Sequence, residues 1–215
     1  MTDSYADFED IELLLARLEK GDPSVRDALK ASIEKVIAEN QQLRGQIESI
    51  ELELEDARQL ADGDVLCPVL NRRAFTREIE REIALADRHG TDLSLLFLDL
   101  DQFKRINDRL GHKAGDDALK AFAGALVGGV RRTDIVGRLG GDEFGVLLIG
   151  TAGADAETQL ERLSIHLVSV LSGWEGLTVS IGLSDWNPGE TVEDLLASAD
   201  SAMFDKKSER HLGGE

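Results

Sequence analysis

The sequence predicts an α+β domain of the split βαβ kind, preceded by an α-helical coiled coil. Three observations predict it. A heptad of apolar residues runs through the acidic first 63 residues. Beyond residue 64, helical and strand patterns alternate. Gly140 and Gly141 separate two short apolar runs, as the turn of a β-hairpin does.

Residues 1–63 hold 16 acids and 7 bases and are helical in pattern. Phe8, Ile11, Leu14, Leu15 and Leu18 make one stripe of a short helix within residues 1–22. Gly21-Asp22-Pro23-Ser24 then interrupts it, with Asp22 suited to an N-cap and Pro23 to the first helical position. A second helix is expected from about Ser24 to Ala61. Ile33, Asn40, Ile47 and Leu54 take one seam position, and Val36, Leu43, Ile50 and Ala57 the other. Four heptads with Asn40 on the seam favour a parallel two-stranded coil, hence a homodimer through residues 23–63. The alternative is one amphipathic helix packed on its own domain.

Further elements follow in order. Asn71–Arg88 reads as a helix with Phe75, Ile79 and Ile83 inside. Leu93–Leu100 is almost unbrokenly apolar, a buried strand. Residues 102–130 read as one or two helices, interrupted near Gly111. Ile135–Leu139 and Phe144–Ile149 form the hairpin strands. Residues 154–172 are helical, Leu177–Leu183 a strand, and Val192–Lys207 the last helix.

The chain has 215 residues, with 24 Lys+Arg against 42 Asp+Glu and a formal charge of −18. Such an acidic chain lacks the basic face that DNA, RNA or anionic lipid requires. No apolar run approaches the roughly 20 residues that span a bilayer, and the first residues lack an apolar signal core. Cys67, the lone cysteine, makes no internal disulfide. These features predict a cytoplasmic protein with no nucleic-acid and no membrane partner.

Asp99 ends the buried strand, and Asp142 and Glu143 sit at the hairpin turn. Carboxylates there need compensation, which a divalent cation supplies through carboxylates, phosphate oxygens and water. An ordinary acidic turn is the alternative. Gly140 and Gly141 remove side chains where a ligand would approach. A polar cluster of Asp101, Lys104, Asn107, Asp108, His112 and Asp116 follows the strand. Asn and Asp together match the donors and acceptors of a guanine edge, and Lys104 suits phosphate. A solvated helix face is the alternative.

Gly140-Gly141-Asp142-Glu143-Phe144 resembles the signature of the GGDEF family of diguanylate cyclases. So do the run from Asp99 to Asp116, Asn71–Phe75, Val179–Gly182 and Ala199–Lys207, which stand in the family's order. The resemblance covers about residues 64–211. It implies a fold similar to the nucleotidyl-cyclase palm, with a mixed, mainly antiparallel sheet flanked by helices. It implies condensation of two GTP into cyclic di-GMP and two pyrophosphates, between two facing domains.

Carried over residue by residue, the resemblance implies metal ligands at Asp99, Asp142 and the Leu100 carbonyl. Glu143 is implied as a further ligand or as the group that assists deprotonation of the 3′-hydroxyl. Two Mg²⁺ or Mn²⁺ per half-site are implied. Asn107 and Asp116 match the guanine pair; Phe103, Lys104 and Lys207 match phosphate contacts, beside Gly140 and Gly141. Lys104 joins Asp99, Asp142 and Glu143 as catalytic. Arg131 and Asp134, an RxxD ahead of Gly140, match an inhibitory product site, with Arg162 as its secondary arginine.

Two stretches depart from the family. Cys67-Pro68 stands where Thr-Gly is usual, and Pro68 biases Cys67 toward extended backbone. Near the end, His211 aligns with an expected phosphate-contacting arginine, and Arg210 lies one residue earlier. The expected organisation is a short helical segment at 1–22, a coiled coil at 23–63, the cyclase domain at 64–211 and a tail at 212–215. A regulatory protein at the N-terminal helices is a further expected partner. A weak or inactive domain that acts as a cyclic di-GMP or GTP receptor is the alternative function.

Overall fold

The structure is a computed structural model that describes residues 23–212. The short helix expected at 1–22 and all of the tail but Leu212 lie outside the described residues, as do the side chains of Leu54, Ala57 and Arg210. The chain forms two compact units, Met1–Arg58 and Gln59–Glu215.

Helix α1 spans Pro23–Asp62, 40 residues and about 60 Å at the usual rise. Proline opens it at a position where a missing N–H costs no hydrogen bond. The seam side chains Val36, Leu43, Ile47 and Ile50 are all more than half exposed along the single helix. Asn40 Oδ1 accepts from Arg44 Nε at 2.9 Å.

The second unit follows the expected alternation. Its elements are β1 (Leu70–Asn71), α2 (Arg72–His89), β2 (Leu93–Asp101), α3 (Phe103–Leu110), α4 (His112–Gly129), β3 (Ile135–Arg138), β4 (Glu143–Ile149), α5 (Ala154–Leu171), β5 (Thr178–Asp185) and α6 (Val192–Leu212). The sheet order is β1-β3-β4-β2-β5. Only β1 and β3 are parallel, and the other pairs are antiparallel. This is the mixed α+β sheet that the sequence predicts. β1 went unrecognised: two residues carry no periodicity.

Alternation along β2 sends its side chains to two cores. Leu96, Leu98 and Leu100 pack with α4 and α5 residues such as Phe122, Leu126 and Leu167. Leu95 and Phe97 pack on the other face with Phe75 and Ile79 of α2 and Leu195, Ala199 and Met203 of α6. Asp99 and Asp101 share the parity of Leu95 and Phe97, so the strand aims them at the α2/α6 side.

Glycine sets two close approaches. Gly137 and Gly145 are register partners, and a Cβ on either would stand 2.4 Å from the Phe75 ring. The sheet therefore accepts Phe75 only where those side chains are missing. A Cβ on Gly182 would meet Ala199 O at 2.0 Å and Met203 N at 2.3 Å. Backbone contact of this kind seats α6 directly on β5, and α6 carries Lys207.

Asn71 organises the start of the unit. Its Oδ1 accepts from Ala74 N at 3.0 Å and caps α2. Its Nδ2 donates to Ala61 O and Gly63 O.

Candidate active site

The register places Asp99 of β2 directly opposite Glu143 of β4. Leu100 N donates to Asp142 O at 3.2 Å, which fastens the end of β2 to the hairpin turn. The turn is closed by Leu139 N donating to Glu143 O at 2.9 Å. Gly140 has its own reason: a Cβ there would sit 2.8 Å from Glu143 Oε2. The glycine leaves room for the Glu143 carboxylate.

Three carboxylates thus meet at one end of the sheet. Burial, and then the charge of Asp99, push the Asp142 carboxyl above its usual range. Burial also raises Glu143, with further repulsion from Asp99, Asp142 and Asp200 and partial relief from Arg72. Lys207 Nζ hydrogen-bonds Asp99 Oδ2 and lies 3.3 Å from Asp101 Oδ1. Burial alone would lower the Lys207 pKa, but its bonds to Asp99 and Asp101 prevail and leave it raised.

Asp101 departs from the sequence reading. The sequence places it in the polar cluster after the strand; it ends β2 instead and is 8 % exposed. It accepts from Ser180 Oγ at 2.9 Å and Thr178 Oγ1 at 3.0 Å. Its strand parity carried that signal.

Gln102 follows with a left-handed backbone, φ 61°, an uncommon conformation for a residue with a side chain. It turns the chain sharply from β2 into α3. Phe103 packs against the core beneath, while Lys104 is exposed. Asn107 is half-buried against α4: a Cβ on Gly115 would stand 2.0 Å from its Oδ1. Asp116, Asp108 and His112 are exposed. The guanine-matching pair thus stands on α3 and α4, whose core lies on the sheet face opposite α2 and α6.

The donor set fits a hard cation. Mutually repelling carboxylates at one edge are what magnesium relieves, usually with one or two of them plus phosphate and water. Among the described residues no group of three His, Cys, Asp or Glu is placed to hold a metal alone. The protein would supply part of a coordination shell and a nucleotide the rest.

Arg131 and Asp134 form a separate turn. Asp134 Oδ2 accepts from Arg131 N at 2.8 Å, and its Oδ1 accepts from Ile149 N at 3.3 Å. Arg131 and Arg162 line one cavity of about 270 Å³ with Thr151 and Asp155. Arg162 also donates to Gln159 Oε1 at 2.9 Å.

Residues 61–211 match the family described as diguanylate cyclase, GGDEF domain. The chain belongs to the GGDEF family. It is 40% identical over 158 residues to diguanylate cyclase DgcP of Pseudomonas aeruginosa, covering 72% of this chain and 24% of that protein. It thus spans about a quarter of that relative's length. Among solved structures it is similar to the coiled coil and GGDEF domain of DgcB from Caulobacter crescentus in complex with c-di-GMP. That match has a TM-score of 0.67 and 29% identity, over 86% of this chain and 96% of that one. It is also similar to diguanylate cyclase SiaD in complex with its activator SiaC from Pseudomonas aeruginosa. There the TM-score is 0.67 and the identity 31%, over 95% of this chain and 79% of that one.

The residues that sequence reasoning missed in this GGDEF domain are mostly supports. Arg138 donates to Asp64 Oδ1 at 3.0 Å and to Gly141 O from Nη2 at 2.6 Å. Arg72 donates to Leu139 O at 3.3 Å. Charged residues at a strand end or on a helix read as solvated, and no local pattern marks them otherwise. Among the described residues no helix is long and apolar enough to cross a membrane.

Proposed function

We propose that this chain is a diguanylate cyclase that condenses two GTP into cyclic di-GMP across a homodimer. The observation that carries the reading is the meeting of Asp99, Asp142 and Glu143 at one end of β2 and β4. Residues 64–211 do the chemistry and residues 23–63 pair the chains.

Asn107 and Asp116 take the guanine. Phe103, Lys104, Gly140, Gly141, Lys207 and Arg210 surround the phosphates. Asp99, Asp142, Glu143 and the Leu100 carbonyl would hold magnesium or manganese, two ions per half-site, neutralising the α-phosphate and lowering the pKa of the 3′-hydroxyl. The 3′-oxygen of one GTP bonds to the α-phosphorus of the other, and the bond to pyrophosphate breaks. The hydroxyl proton passes to Glu143, which stands opposite Asp99 at the end of β4. Repetition in the facing half-site closes the ring.

The exposed apolar seam of α1 supports a parallel coil. Tethering raises the effective concentration of the two half-sites to roughly the mM range. Product inhibition at Arg131, Asp134 and Arg162 is supported by the cavity shared by the two arginines. A regulatory protein at the N-terminal helices is supported by the likeness to SiaD, solved with its activator.

Incubating the chain with GTP and Mg²⁺ and separating the nucleotides tests the reading. Cyclic di-GMP from the chain, and none from Glu143→Gln, is expected. Cyclic di-GMP binding without turnover would favour the receptor alternative.

A further inference from the structure

A cavity of about 290 Å³ opens beside Glu143, lined by Arg72 of α2 and by Leu196, Ala197 and Asp200 of α6. Arg72 and Asp200 are both exposed. Among the described residues neither of them forms an ion pair. Arg72 donates from Nη1 to Leu139 O at 3.3 Å, which engages only one end of its donor fork. One turn beyond Asp200 on the same face of α6 stands Phe204, 65% exposed. An opposite-charge couple without a partner and a bare aromatic ring thus border the site.

The chemistry covers this surface. The 3′-hydroxyl carried by the facing copy has to reach Glu143, so that copy stands against the ground around Glu143. Covering Arg72 and Asp200 takes them out of water, which is costly for a charge that stays unpaired. A two-fold axis supplies the pairing, because a contact from one copy to the other is returned in the opposite sense. Repulsion makes the pairing necessary as well. Each copy carries a formal charge of −18, and Asp99, Asp142 and Glu143 meet beside the cavity. Arg72 is the cation that lines it. Arginine and aromatic residues are also what the centres of such interfaces favour.

We propose that Arg72 of each copy pairs with Asp200 of the partner subunit when the two domains face, with Phe204 inside the covered face. The two reciprocal pairs set the half-sites in register. Arg72 and Asp200 are positioning residues, and each half-site is incomplete without the other copy. This inference rests on the cyclase reading.

Heterodimers of the full chain test it. Two chains with different affinity tags, one Arg72→Asp and one Asp200→Arg, are co-expressed, and the doubly tagged dimer is purified. Each variant alone is expected to make cyclic di-GMP at least tenfold more slowly than wild type. The heterodimer restores both pairs across the axis and is expected to come within threefold of wild type. Within either chain of that heterodimer the two charges still match in sign, so pairing inside one chain predicts no recovery. Arg72→Gln with Asp200→Asn repeats the test without charge reversal, should a reversed chain fail to fold. There one pair survives across the axis, and the heterodimer is expected to exceed both homodimers at least threefold. A heterodimer no faster than its homodimers overturns the pairing, as do single variants within twofold of wild type. A wild-type chain that makes no product overturns the cyclase reading and the pairing together, whereas an active wild type beside an unrescued heterodimer overturns the pairing alone.

Discussion

Arg138 and Asp64 form a half-buried ion pair that joins the start of the domain to the turn bearing Asp142. Asp64 Oδ1 accepts three times: from Leu66 N, Cys67 N and Arg138 Nη1, at 2.8–3.0 Å. The other end of the guanidinium holds Gly141 O. The pair also absorbs the Cys67-Pro68 departure, since the Cys67 N–H still finds its acceptor and the side chain is buried.

Removing Asp64 therefore strands two backbone donors and a guanidinium. Asp64→Ala is expected to cost about 2 kcal/mol, measured by urea unfolding. Burial raises the Asp64 pKa, but its hydrogen bonds and Arg138 outweigh that and leave it lowered from 3.8. Its contribution is thus complete above 3.8 and is lost as pH falls through the folded value. Asp64→Asn should flatten that acid limb.

Glu143 runs the other way. Its raised pKa means that the folded chain binds the proton more tightly than the unfolded chain. Stability falls as pH rises from 4.5 through the folded value, and the penalty persists at neutral pH. Glu143→Gln in chelator is expected to raise the thermal midpoint at pH 7 while abolishing turnover. A lower midpoint would contradict the repulsion argued here. Raising Mg²⁺ should also shift the acid limb of activity to lower pH, because protons and metal compete for the same oxygens.

Gly115→Ala tests the packing of Asn107. The added Cβ would lie 2.0 Å from Asn107 Oδ1 and 3.2 Å from Phe103 Cζ. The amide must move, so KM for GTP is expected to rise at least tenfold. Circular dichroism should be nearly unchanged. An unaltered KM would remove Asn107 from the binding site.

The readable parts of the molecule were those with long patterns. The run Leu93–Leu100 announced β2, and the glycine pair announced the hairpin with Asp142 and Glu143. What stayed hidden depended on contacts between distant segments. Asp101 read as part of the polar cluster beyond the strand, whereas β2 runs one position further and brings it to Ser180 and Thr178. Gly182 looked like any strand glycine, yet its missing Cβ admits the backbone of α6. The sequence offered Lys207 as a phosphate contact only through the family resemblance, and its bonds to Asp99 and Asp101 were hidden, because they span 108 and about 106 residues of chain.

Gly182→Ala follows from that contact. Backbone atoms of Ala199 and Met203 block the new methyl, so α6 must shift and draw Lys207 from Asp99. A cost of about 1–3 kcal/mol is expected, with turnover reduced more than tenfold. A fully active variant would separate Lys207 from the chemistry.

Pairing through α1 is tested at its seam. Ile47→Asp is expected to convert dimer to monomer in sedimentation and to abolish product at low protein concentration. Product should return as concentration rises toward the effective concentration of the tether.

The most direct measurement counts both products. Wild-type chain with GTP and Mg²⁺ should release two pyrophosphates for each cyclic di-GMP formed, and Glu143→Gln should release neither. GTP that binds and is recovered intact from a confirmed dimer would contradict the account.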